Sequence, residues 1–297
     1  MKTAFITFIY PNAQKFFQPF IESLNNQTDL DFELLLFNDG CTETHLQFFK
    51  NSNFQISIIQ NLHPSLVENR MAAFKKLINM EFEYIIFGDI DDTFATNRVE
   101  ILKEELKYHK VVINDLDLND TKYNVLKKGL VQEYLQDKCI IDAAMIRTMN
   151  LIGFSHLALR KSLLENVITH TISSKVKIID WIVATNLLQN TNAYFTSETY
   201  TNYVFHENNL ALSQTKDIQD FMNCLNVKIN HYKEFQHLNN WYYNEWIELN
   251  KIKEEVRRAP EAFKVKIKQY MRKRPKYYYP WWGQIEESRK LKDEIFI

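Results

Sequence analysis

Residues 83–92 read Glu83-Tyr84-Ile85-Ile86-Phe87-Gly88-Asp89-Ile90-Asp91-Asp92, an apolar run that stops in three carboxylates within four positions. The run is short and rich in β-branched and aromatic residues, which predicts a buried strand. Carboxylates packed this closely repel one another unless a cation or a hydrogen-bond donor compensates. Mg²⁺ and Mn²⁺ seek oxygen ligands, and Mg²⁺ commonly takes one or two protein carboxylates together with substrate phosphates. A metal on a pyrophosphate would neutralise a nucleotide-diphosphate leaving group. The competing reading is a solvated acidic turn in which Asp92 and Thr93 cap the next helix. The elements upstream favour the metal–nucleotide reading.

Residues 3–10 (TAFITFIY) have the composition of a strand buried on both faces. Phe16, Phe17, Phe20, Ile21 and Leu24 then recur at helical spacing, with Pro19 tolerable only near the first turn. Residues 32–37 (FELLLF) predict a second strand, closed by the turn signal Asn38-Asp39-Gly40. Residues 54–59 predict a third, and a helix follows over 65–79 with Leu66, Met71, Phe74 and Ile78 on its apolar side. Strands alternating with helices imply parallel pairing and a doubly wound α/β sheet. Ligands in such sheets bind beyond the C-terminal ends of the strands. Asn38-Asp39-Gly40 and Asp89–Asp92 both fall there, which makes them one candidate site.

Composition narrows the alternatives. Only 5 of 297 residues are glycine, and neither GxGxxG nor GxxxxGK[ST] occurs, so a glycine-rich phosphate cradle is excluded. Cys41, Cys139 and Cys224 are odd in number and widely spaced, which supports neither a zinc knuckle nor a disulfide framework. No apolar run approaches the roughly 20 residues that span a bilayer. The N-terminal apolar stretch runs directly into Pro11-Asn12-Ala13-Gln14, which reads as a strand and not as a cleaved leader, and predicts a cytoplasmic protein.

Charge is uneven. Residues 1–250 carry a net charge of −8 and residues 251–297 a net +7. The basic tail concentrates Tyr277, Tyr278, Tyr279, Trp281 and Trp282 just after Arg272, Lys273, Arg274 and Lys276. Such a segment suits an anionic membrane surface at the inner face of the cell membrane, or an arm whose rings pack on the main domain or a sister subunit. The acidic body argues against nucleic acid.

Four stretches carry a family resemblance: ITFIYPNAQKFFQPFIESLNNQT from residue 6, DFELLLFNDGCTE from 31, ENRMAAFKKLI from 68 and YIIFGDIDDTFATNRVEIL from 84. In order and interval they resemble the nucleotide-binding half of a family 2 glycosyltransferase with the GT-A fold, a mostly parallel sheet with helices on both faces. The resemblance implies a nucleotide-diphosphate sugar donor, a divalent cofactor (Mn²⁺ or Mg²⁺), and transfer to an acceptor with inversion. By the same resemblance, Thr7 and Tyr10 would border the nucleotide and Asp39 would bond the base, with Asn38 standing where Asp is common. Arg70 would approach the nucleotide, or else be a helix-surface charge. Asp89 would contact the ribose or metal shell, Asp91 would be the main metal ligand of a DxD motif, and Asp92 would support the donor or acceptor side.

The second half resembles the acceptor side. Asn150 to Arg160 matches a segment in which a strand follows a small-residue turn at Gly153. Ile178-Ile179-Asp180-Trp181 resembles the family's acidic-aromatic pair, which makes Asp180 the candidate base; its alternative is an N-cap. Tyr203-Val204-Phe205-His206-Glu207-Asn208-Asn209 resembles a tyrosine-arginine-x-histidine-x-asparagine-asparagine pattern, so His206 would complete the metal shell or meet the diphosphate. Val204 replaces the arginine. Asp115, Asp117, Asp120 and Asp137 read as solvated groups in a loop, strand and helix before the acceptor wall.

These readings predict a GT-A domain over 1–210 and a helical, basic and aromatic extension over 211–297 that packs on it or oligomerises. The implied acceptor is a saccharide or a lipid-linked hydroxyl. The AT-rich residue bias (Asn, Ile, Lys, Phe) and the resemblance together point to bacterial surface polysaccharide synthesis. A non-catalytic nucleotide-sugar or glycan-binding module of the same fold is the alternative.

Overall fold

The computed structural model describes residues 2–63, 65–168, 172–206 and 218–258, together with residues 261, 265, 279 and 281. Strand β1 (Thr3–Ile9) is buried along its whole length. Helix α1 (Gln14–Asn25) follows and buries Phe16, Phe17, Phe20, Ile21 and Leu24. Pro19 sits inside α1 rather than in its first turn; it has no N–H to give the carbonyl of Lys15, an exposed residue where water can take that place. Then come β2 (Glu33–Asn38), α2 (Glu43–Leu46), β3 (Gln55–Gln60) and α3 (Leu66–Ile78). Ser65 caps α3, accepting from the Glu68 N–H. β4 (Tyr84–Phe87) delivers the acidic turn, and β5 (Thr93–Phe94) and α4 (Arg98–Glu105) follow it.

The second half supplies β6 (Val111–Asn119), β7 (Val125–Lys127), β8 (Ile140–Ile141) and β9 (Leu157–Arg160). After them come α5 (Leu164–Val167), α6 (Ile179–Leu188), β10 (Ala193–Val204), α7 (Ile218–Phe235) and α8 (Asn240–Arg258).

One sheet takes the order β3-β2-β1-β4-β9-β6-β10-β5, with β7 on β6 and β8 on β10. β3, β2, β1 and β4 pair in parallel, as do β6 and β10. β9 is inserted antiparallel between β4 and β6, so β4 and β6 still point the same way. The ends of β1, β2, β4 and β10 therefore share one rim.

Two apolar cores flank the sheet. On one face, Phe5 and Ile9 of β1 pack with α1 and α4; on the other, Ile6 and Phe8 pack with α3, α6, α7 and α8. Helix α6 buries every residue but Asp180, as befits a helix packed on nearly all sides. Trp181 stacks on His231 of α7 at 3.9 Å, and its indole N–H donates to the Ile146 carbonyl at 2.8 Å. Asp115 and Asp117 are buried, contrary to the solvated reading. Their strand lies inside the sheet, where Asp115 accepts the N–H groups of Leu116 and Val131, and Asp117 that of Gly129. No helix forms between β7 and β8; the chain there is held by turns.

Among the described residues no helix is long and apolar enough to cross a membrane. Tyr279 and Trp281 of the tail are buried against the main body. The other tail residues singled out above, Arg272 to Tyr278 and Trp282, lie outside the described residues.

Candidate active site

At the common rim a cavity of about 220 Å³ is lined by Tyr10, Arg70, Asp89, Asp91, Asp180 and His206, all expected from the sequence. Further wall comes from Phe8, Phe154, Lys177 and Tyr203. Among the described residues, a larger hollow of about 490 Å³ is lined by α8. It gathers no strand ends and none of the candidate groups.

Strand alternation decides which β1 residues reach the cavity. Phe8 and Tyr10 share a side, whereas Thr7 has the opposite parity and is fully buried away from it. Asp39 also stays off the lining, at the end of β2 beside the turn. Its N–H donates to the Ile9 carbonyl at 2.8 Å. The turn itself explains Asn38: the amide donates to the Cys41 carbonyl (2.9 Å) while its oxygen accepts the Cys41 N–H (2.6 Å). A carboxylate could do only the second. Gly40 in this turn has φ +92°, the left-handed region that glycine enters without strain.

The three carboxylates after β4 have separate environments. Asp89 accepts from the Ser155 hydroxyl at 2.7 Å; burial, then repulsion from Asp91, raises its pKa to about 6. Asp91 faces the cavity and accepts from His206 Nε2 at 2.7 Å. Asp92 turns inward, where one carboxylate oxygen accepts the Val204 N–H at 3.0 Å and the other is buried without a hydrogen-bond partner. Burial holds its pKa well above the usual range. Asp92 thus ties the acidic turn to the end of β10 and brings His206 to Asp91; it does not line the cavity.

Two arginines offset this charge. The Arg70 guanidinium lies over the Phe8 ring at 3.4 Å and faces Asp89, Asp39 and Asp180, so it is a wall of the cavity and not a surface charge. Arg98 is fully buried beneath the turn, donating to Phe87 O, Ser155 O and Asn114 Oδ1. Burial lowers its pKa to about 9, against the pull of Asp92 and Asp89, and leaves it cationic at neutral pH. Tyr10 keeps its proton, since burial and the neighbouring Asp91 and Asp89 push it up to about 12.

Asp180 occupies the first turn of α6, whose N-cap is Ile178, so the capping alternative is not realised. Its carboxylate accepts the Trp181 N–H at 2.7 Å. Burial raises its pKa to about 7, with the Trp181 amide opposing and Asp89 adding to the rise. His156, left without a role by the sequence, is buried on the Leu151 carbonyl, and burial drives its pKa to about 3. It is a neutral structural imidazole. His170 lies outside the described residues, as do Glu207, Asn208 and Asn209.

Sequence reasoning assigned no role to Ser155, Lys177 or Tyr203. Ser155 and Tyr203 fall inside segments that the resemblance had matched, which was the available signal. Lys177 stands three residues before the candidate base, and nothing local marks it.

No group of three or more His, Cys, Asp or Glu side chains forms a metal cage among the described residues. What the site offers is a carboxylate and an imidazole in contact, with an orphaned Asp92 oxygen beneath. Asp91 and His206 are the residues that would hold a Mn²⁺ or Mg²⁺, which would supply positive charge against a diphosphate.

Residues 6–168 match the model of glycosyl transferase family 2, more than half of the chain. The chain belongs to that family, and its mixed α/β sheet is the GT-A fold. Among solved structures, the TarS 1–349 fragment of S. aureus superposes with a TM-score of 0.52 at 16 % identity, over 77 % of this chain and 65 % of that one. The same fragment in complex with UDP-GlcNAc gives 0.53 at 16 % identity, over 77 % and 66 %. GalNAc-T7 with UDP, GalNAc and Mn²⁺ gives 0.55 at 11 % identity, over 77 % and 47 %. This chain spans less than two thirds of the TarS fragment and 39 % of a longer TarS structure. No curated protein matches the sequence significantly.

Proposed function

We propose that the protein is a metal-dependent, inverting glycosyltransferase that moves a sugar from a nucleotide-diphosphate donor to a saccharide or lipid-linked hydroxyl in bacterial surface glycan synthesis. The observation that carries this is the convergence on one cavity of the Asp91–His206 pair, Arg70 and Asp180. Family membership and the UDP-sugar and Mn²⁺ complexes of TarS and GalNAc-T7 support it.

Asp91 and His206 would hold the cation. Once bound, it supplies positive charge against the departing diphosphate. Arg70, braced on Phe8, adds a second cation on that side, and Asp39 with the Gly40 turn is the proposed base-binding edge. Asp180 takes the acceptor hydroxyl proton. With a pKa near 7 it is both substantially ionised and a competent proton acceptor at neutral pH. One base and one leaving-group side are what a single displacement with inversion requires. The basic residues between 272 and 276 are the proposed contact with an anionic membrane surface, supported by the charge imbalance alone.

The test is hydrolysis and thermal shift with a panel of nucleotide-diphosphate sugars, with and without Mn²⁺. A cation-dependent rise in melting temperature together with slow donor hydrolysis is expected. A rise with no hydrolysis under any condition identifies a non-catalytic binding module instead.

A further inference from the structure

Three segments remote in the chain meet at Gly153. A Cβ placed there would lie 2.8 Å from the six-membered ring of Trp281 and 3.4 Å from Asp180 Oδ2. Its φ of −107° is open to any residue, so glycine is required by space. Trp281 is fixed by an antiparallel bridge: the Asn150 N–H donates to the Trp281 carbonyl at 2.8 Å, and the Trp281 N–H to the Asn150 carbonyl at 3.1 Å. The Tyr279 hydroxyl donates to the Leu151 carbonyl at 2.9 Å. The indole also meets Tyr279 (5.1 Å between centroids), His156 (5.6 Å) and Tyr203 (6.0 Å).

The stretch gripped in this way, residues 150–156, feeds the cavity at several points. Phe154 lines it, Ser155 bonds Asp89, and Gly153 abuts Asp180. Trp281 itself is 3 % exposed and does not line the cavity.

We infer that Tyr279 and Trp281, two residues that together act as a strap on residues 150–156, are a working part of the active site, and that Trp281 is a positioning residue holding Gly153 against Asp180 and Ser155 against Asp89. This rests on the reading of Asp180 as the base. The reason the contact matters is geometric: a base must stay within hydrogen-bond reach of the proton it takes, and a misplacement of about 1 Å costs about 10²-fold in rate. Asp180 is faced by Asp89, Arg70 and Tyr203, and Lys177 shares its cavity. The strap leaves these charges in place and sets only the backbone beside the carboxylate.

The experiment compares the full chain with Trp281→Ala, Trp281→Phe, Gly153→Ala, the Gly153→Ala/Trp281→Ala double variant and Asp180→Asn. Amide exchange over residues 150–156 and melting temperature need no substrate; UDP-GlcNAc hydrolysis with Mn²⁺ is followed against pH. In Trp281→Ala, exchange over 150–156 is expected to rise about tenfold while β1–β4 keep their protection. The hydrolytic kcat should fall about tenfold with KM within about twofold. Its acid limb should move down by about half a pH unit as water reaches Asp180. Trp281→Phe restores most of the rate. Gly153→Ala alone reproduces the loss, and the double variant is no worse than Trp281→Ala, because the added methyl no longer has a ring to strike.

Unchanged exchange over 150–156 in Trp281→Ala overturns the inference, as does a double variant whose losses simply add. A rate loss with an unmoved pH limb reduces the strap to a stabilising contact. If Asp180→Asn hydrolyses at the parent rate, it is the assignment of the base that fails, whatever the strap variants show.

Discussion

On the side of the cavity built by β1, α3 and β4, the functional groups stand on or next to regular elements. Tyr10 directly follows β1, Asp89 and Asp91 fall within four residues of β4, and Arg70 lies in the second turn of α3. On the side built by residues 150–156 and α6, the same density of function needs a turn, a helix start and a segment from beyond residue 278. The first wall is pinned by parallel strands buried on both faces. The second wall is pinned by reciprocal side-chain and backbone contacts across more than 120 positions, as in Tyr279 on Leu151. A site of this kind has one wall set by topology and another adjustable by substitution at a few contacts.

Four substitutions probe that contrast. The largest effect is expected from Asp180→Asn: transfer falls by about 10²–10⁴-fold, while UDP–Mn²⁺ binding by calorimetry is unchanged. Equal losses in both would mean that the two walls are not separable. The same variant should melt a few degrees higher at pH 8. A carboxyl whose folded pKa is raised opposes folding increasingly as pH climbs above its unfolded value toward its folded pKa near 7, and the amide removes that opposition.

Next, Asp91→Ala should lower turnover by about 10²–10³-fold and also weaken UDP binding only when Mn²⁺ is present. Cation-independent weakening would move the ligand role elsewhere. Arg70→Ala should raise the donor KM by about tenfold, the scale of one charge-assisted hydrogen bond, and an unaffected KM would return Arg70 to a packing role on Phe8. Ser155→Ala, which removes the hydroxyl joining the two walls, should cost about fivefold in kcat/KM; no change would show that Asp89 needs no tether.

The contrast also governs what the sequence could reveal. The β1–β4 half was legible because each element advertises itself locally: apolar runs of strand length, helical spacing in α1 and α3, and turn chemistry at Asn38-Asp39-Gly40. The acidic turn after β4 was recognisable for the same reason, and Asp180, singled out through the family resemblance, does line the same cavity. The antiparallel insertion of β9 between β4 and β6 left no local trace, because pairing partners are chosen across the fold. Asp115 and Asp117 were misread as solvated, since burial of an acid depends on amides from residues 129–131 that no spacing rule connects to it. Thr7 was carried over from the family resemblance, and the alternation of β1 turns it away from the cavity. Trp281 looked like one of many aromatics in a basic tail; only Gly153, scarce in a chain with five glycines, hinted that something must come close there.

The bridge between Asn150 and Trp281 sets an order of events during synthesis. A nascent chain can close its sheet and pair Asp91 with His206 soon after β10 leaves the ribosome, yet residues 150–156 wait for about 75 further residues, which is several seconds of translation at 5–20 residues per second. A message cut short after the α8 codons would supply residues 150–156 without the Trp281 ring against Gly153 and without the bridge to Asn150.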